Sequence, residues 1–173
     1  MKRWLLRIAI GFVCIVLLAV VSLFGLHHFE RWTAQKARVE RSEAIRAYHP
    51  SQARVYLYSL DPKFTAVDDS DHFHGYRILG SSEITASDEK AALILSLSNA
   101  ISHGLYVSMC FEPQHGLRII NDAETVDLVI CFSCLQIQPF NFNGNKMFGT
   151  AGYPFAAYNA ILERHGLPVF KRK

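Results

Sequence analysis

The chain has 173 residues, 50% of them apolar and 19% charged. Once an apolar N-terminal run is set aside, that is enough for one hydrophobic core but not two. The net charge of +3 belongs to Lys2, Arg3 and Arg7, because the 15 basic residues after the run balance all 15 acidic ones. A neutral domain has no broad phosphate-attracting field, which excludes a nucleic-acid binder, and the tail Lys171-Arg172-Lys173 is too short to reverse that.

Residues 1–7 form a basic flank, and residues 8–26, from Ile8 to Leu26, contain no charge. At a helical rise of about 1.5 Å per residue such a run spans a hydrocarbon core, where only a helix satisfies its own backbone hydrogen bonds. Trp4 and Trp32 flank it as interfacial anchors would. The end of the run offers no Ala-x-Ala cleavage site, and Cys14 sits mid-run after Gly-Phe-Val instead of at a lipoprotein junction, so the segment reads as an uncleaved transmembrane helix held in a lipid bilayer. Lys2, Arg3 and Arg7 favour a cytoplasmic N-terminus and an extracytoplasmic, periplasmic C-terminal domain, although Arg31, Lys36, Arg38 and Arg41 nearly balance them on the other side.

Residues 27–50 are free of glycine and, before Pro50, of proline, and read as a helical stalk; Ile45 and Tyr48 are spaced to pack on the domain that follows. In residues 51–173 the period changes. Arg54 to Leu60 is β-branched and aromatic, a strand stopped by Asp61-Pro62. A polar loop from Val67 to Gly75 precedes a short strand at Tyr76 to Leu79. Asp88 to His103 carries an apolar helical face, with Thr85 or Ser87 as its cap and Gly104 as its stop. Strands are expected at Leu105–Phe111, Leu117–Ile120, Thr125–Phe132 and Cys134–Phe140, with tight connections at Asn121–Glu124 and Asn143-Gly144. Pro154 starts a last helix, Phe155 to Arg164. The order predicts an α+β domain: a mixed or antiparallel sheet covered by two helices on one face, preceded by one transmembrane helix.

Cys110, His115, Cys131 and Cys134 spell C-x4-H-x15-C-x2-C, a complete set of soft ligands for zinc. Against that, residues three apart in a strand face opposite ways, so Cys131 and Cys134 reach one metal only if Phe132-Ser133 turns. In an exported domain, the same sulfurs offer a disulfide between Cys110 and either Cys131 or Cys134. A redox dithiol fits less well, since its Cys-x-x-Cys normally opens a helix. The remaining alternatives are buried cysteines packing as small apolar groups, and a cysteine nucleophile with His115 as base and Asp127 as a generic third group. His72 and His74, beside Asp68, Asp69 and Asp71, are a second set of metal candidates, though a solvated acidic loop is the plainer reading. No cofactor is required by any motif, zinc being the one with a ligand set.

Leu57–Pro62, Phe73-His-Gly-Tyr76, Leu79-Gly80, Cys110-Phe-Glu-Pro-Gln-His-Gly116 and Asp127-Leu-Val-Ile-Cys-Phe-Ser-Cys-Leu-Gln136 resemble a family of small bacterial envelope proteins and lipoproteins with C-F-x-P-x-H-G and V-I-C-F-x-C motifs. The resemblance runs from about Val55 to Leu167 and implies an exported location, without an assigned activity. Members usually carry Pro-Arg-His-Gly where this chain has Pro113-Gln114-His115-Gly116, and a lipidated cysteine or signal sequence where this chain has an apolar helix. The expectation is a membrane-anchored envelope domain acting as a non-enzymatic binding or interaction module toward a protein or small molecule. The alternatives are a zinc-binding domain or metalloenzyme built on the cysteine/histidine cluster, and a membrane-tethered inhibitor or immunity-type protein.

Overall fold

The computed structural model describes residues 2–65, 69–104, 110–122 and 124–170, with the side chains of 2–16 and 19 left out of the description. The chain divides into two compact units, Met1–Ala37 and Arg38–Lys173. Helix α1, Lys2–Arg46, supplies the described residues of the first unit and the opening of the second. In the first unit Leu17, Leu18, Val21, Leu23, Phe24 and Leu26 are exposed. Among the described residues no helix is long and apolar enough to cross a membrane. The span expected at 8–26, with Cys14 and the flanking Trp4, falls in good part on side chains outside that description.

The second unit is an α+β domain built on a curled antiparallel sheet of seven strands: β1 (Arg54–Phe64), β2 (His72–Phe73), β3 (Tyr76–Ile84), β4 (His115–Asn121), β5 (Glu124–Cys131), β6 (Gln136–Phe140) and β7 (Phe148–Gly149). Their spatial order is β2-β3-β1-β4-β5-β6-β7, and each neighbouring pair is antiparallel. Helix α2 (Ser87–His103) links β3 to β4, and α3 (Phe155–Arg164) follows β7.

Strand alternation sorts the side chains into two clusters. Val55, Leu57, Leu117, Ile119, Val126, Leu128, Ile130 and Ile137 share a core with Leu93, Ile94, Leu97 and Ile101 of α2 and Tyr158, Ile161 and Leu162 of α3. Ile45 and Tyr48 join that core too, so the end of α1 contributes a third helical segment to it. Ser42 and Ser98 hydrogen-bond through their hydroxyls at 3.0 Å, and Arg46 donates to Asn99 at 2.7 Å, tying α1 to α2. A smaller cluster gathers Tyr58, Leu60, Phe73, Tyr76 and Val129.

Five expectations from the sequence change. Strand β1 does not stop at Asp61-Pro62 but runs to Phe64, because the pairing with β3 shifts register between Leu60 and Phe64. Proline lacks an N–H for the ladder, and such a bulge asks it for none. Strand β3 continues past Leu79 to Ile84, opposite Val55. The polar loop contains β2, whose His72 and Phe73 pair with Arg77 and Tyr76. Helix α2 begins after Ala86, with no side-chain cap; Asp88 and Glu89 in its first turn complement the helix dipole instead. Of the strand expected at 105–111, residues 105–109 lie outside the described residues, and Cys110 and Phe111 are not in a strand.

Candidate functional site

Cys131 closes β5 and β6 begins only at Gln136, so residues 132–135 are a turn and the strand expected from Cys134 starts later. In a strand, residues three apart are separated by about 10 Å. Here the Cα atoms of Cys131 and Cys134 are 5.2 Å apart and a disulfide joins their sulfurs. The bend depends on Leu135, whose φ of 58° is in the left-handed region and whose carbonyl accepts a hydrogen bond from Thr150 N–H at 3.0 Å. The objection that Phe132-Ser133 would not turn is therefore overturned, and the bridge differs from the expected pairing through Cys110.

Cys110 lies outside that bridge but against it, its Sγ 3.2 Å from Cys134 Sγ. Glu112 N–H donates to Cys134 Sγ at 3.3 Å, and Cys134 N–H donates to Cys131 Sγ at 3.1 Å. The Ser133 hydroxyl is 3.4 Å from Cys131 Sγ. Cys131 and Cys134 are both 1% exposed, whereas Cys110 is exposed.

His115 opens β4 directly after this segment and is buried. Its Nε2–H donates to Asn159 Oδ1 at 2.7 Å, and its ring is packed by Phe132, Phe155 and Tyr158 at centroid distances of 5.4, 5.6 and 5.6 Å. Among the described residues Nδ1 has no hydrogen-bond partner. Burial lowers its pKa to about 4, so the ring is neutral at pH 7. Asn159, not Asp127, orients this imidazole, which corrects the nucleophile reading. Beside it opens a pocket of about 290 Å³ lined by Gln114, Phe132, Ser133, Gly152, Phe155 and Phe170.

Asp127 serves the other side of the sheet, since it alternates with Val126 and Leu128 of the core. Both its oxygens accept hydrogen bonds from Arg118, Nε and Nη2 each at 2.7 Å, and Oδ2 also bonds His74 Nε2 at 2.8 Å. Burial pushes the Asp127 carboxyl up, but the bonds from Arg118 and His74 outweigh it and hold the group below its ordinary value. Arg118 is held protonated above its usual range by its hydrogen bonds to the Asp127 carboxylate. His74, at φ 52°, stacks on Phe140 with centroids 3.6 Å apart, and Arg118 lies over Phe73.

The metal candidates are thus distributed. Of the zinc set, two sulfurs are bridged, the third touches Cys134, and His115 engages Asn159. His72 Nδ1 is 2.7 Å from Asp69 Oδ1, while His74 turns to Asp127. Among the described residues no group of three or more histidine, cysteine or acidic side chains converges as a metal site.

Sequence reasoning missed Arg118, Asn159 and the three phenylalanines of the pocket. Arg118 was accessible: a tight hairpin pairing Asn121 with Glu124 places it opposite Asp127. Asn159 lies 44 residues after His115, Phe170 lies further on, and no local pattern announces them. No family model matches the chain, and no curated protein or solved structure matches it.

Proposed function

We propose that this chain is a membrane-tethered binding module that works outside the cytoplasm and receives an apolar or aromatic group of a partner in the pocket beside the bridged turn. The observation that carries the reading is that pocket: three phenylalanine rings with the polar groups of Gln114 and Ser133 at their edge. Concave, mostly apolar sites with a few polar groups are what small ligands and inserted side chains occupy. His115 beside the pocket is a neutral buried ring bonded to Asn159, and Asp127 is held in a bidentate ion pair on the other side of the sheet, which favours binding over acid–base catalysis.

The tether is the uncharged run of residues 8–26 between its two tryptophans, resting in a lipid bilayer with the N-terminus on the cytoplasmic side. Export agrees with the Cys131–Cys134 bridge, because disulfides persist in oxidising compartments. Helices α2 and α3 belong on one face of the sheet in this reading, supported by the core that Leu97 and Leu162 share with Leu117 and Leu128. The resemblance to envelope proteins and lipoproteins points to the same location.

The test is to titrate indole into the full-length chain in lipid nanodiscs, with fluorine-labelled phenylalanine. Signals of Phe132, Phe155 and Phe170 shift together and saturably, and Phe155→Ala weakens binding by about tenfold. Saturable shifts confined to other phenylalanines contradict the assignment.

A further inference from the structure

We propose that Cys110, Cys134 and Cys131 form a thiol–disulfide exchange site, with Cys110 as the sulfur that connects a buried disulfide to cysteine thiols in solution. The Cys131–Cys134 bridge is shielded, each residue being 1% exposed, so an external thiolate has no direct approach to it in the folded domain. Cys110 is exposed and at the same time touches Cys134 Sγ at 3.2 Å. One exposed residue thus touches the bridge through its sulfur.

The donors around the cluster match the sulfurs that must carry charge. In the first step the Cys110 thiolate attacks Cys134 Sγ; the Cys110–Cys134 bond forms, the Cys131–Cys134 bond breaks, and Cys131 leaves as a thiolate. Cys134 N–H at 3.1 Å and the Ser133 hydroxyl at 3.4 Å already point at that leaving sulfur. In the second step an external thiolate attacks the Sγ of the exposed residue Cys110, and Cys134 departs as a thiolate toward the Glu112 N–H, 3.3 Å away. A second external thiol then takes the mixed disulfide off Cys110. Two external thiols are oxidised to one disulfide, the Cys131–Cys134 pair is reduced to a dithiol, and the two protons released by the substrates end on that pair. The reverse sequence passes a disulfide back in. The site shares Ser133 with the edge of the pocket, but the exchange needs neither a group bound there nor the membrane tether, so it stands or falls apart from the binding reading.

The experiment follows reduction of the Cys131–Cys134 bridge in the full-length oxidised chain in nanodiscs, by quenched alkylation and mass spectrometry, with two probes: glutathione and a short unstructured peptide bearing one cysteine. Faster exchange with the peptide assigns protein thiols as substrate, and faster exchange with glutathione assigns small thiols. Cys110→Ser and Cys110→Ala each slow reduction by about tenfold or more with both probes, at unchanged circular dichroism and melting temperature. Separately, Cys131→Ser, oxidised, yields a peptide linked between Cys110 and Cys134. Equal reduction rates with and without Cys110, or no 110–134 link in Cys131→Ser, overturns the proposal.

Discussion

His115 carries the clearest pH dependence. Its pKa falls from 6.5 in the unfolded chain to about 4 in the fold, because burial penalises the imidazolium. Protonation therefore favours the unfolded state. The stability is whole above pH 6.5 and declines as pH falls from there toward 4, by about 3 kcal/mol in total. Urea denaturation between pH 7 and 4 measures the decline, and His115→Phe flattens it over that window. Arg118 makes a second prediction. Removing it leaves the buried Asp127 carboxylate with His74 alone, so Arg118→Met costs about 2–4 kcal/mol, less than a fully buried pair because the arginine keeps a third of its side chain in solvent. Double substitution with Asp127→Leu recovers part of that loss in the same denaturation experiment.

Among the elements, the turn at 132–135 makes the site. The bridge closes a loop of only a few residues, so constraint of the unfolded chain contributes about 2 kcal/mol or less. Reduction therefore lowers the melting temperature by several degrees and leaves the domain folded, as calorimetry with and without reductant can show. The same element explains how far the sequence was legible. Strands β4 and β5, α2 and α3 follow from alternation, helical periodicity and their stop residues, and the domain is α+β with an antiparallel sheet. The turn escaped because Val-Ile-Cys-Phe-Ser-Cys-Leu reads as strand, and the bend rests on two terms that strand propensity does not announce: a short-range disulfide, and a left-handed Leu135 held by Thr150 from a later segment. Pro62 misled in the opposite direction, ending a strand on paper that a bulge carries through.

For the whole molecule, the domain that holds the site begins before the strands do. Ile45 is fully buried and Tyr48 nearly so, although both precede Pro50. A chain starting at Arg31 therefore keeps the domain's stability and leaves the membrane fraction, whereas one starting at Ser51 loses both contacts and about 3 kcal/mol. Chemical denaturation and sedimentation of the two truncations check this. The neutral balance of charge after residue 26 fits a module that is placed by its tether and not by a long-range field.

The central claim is an exported, membrane-held domain whose site is a bridged turn. Differential alkylation in intact cells making the full-length chain, followed by fractionation and peptide mapping, tests it most directly. The account predicts a membrane-sedimenting protein with Cys131 and Cys134 linked and Cys110 labelled by a membrane-impermeant maleimide. A soluble protein in which all three of these cysteines are labelled, and only by a permeant reagent, would contradict it.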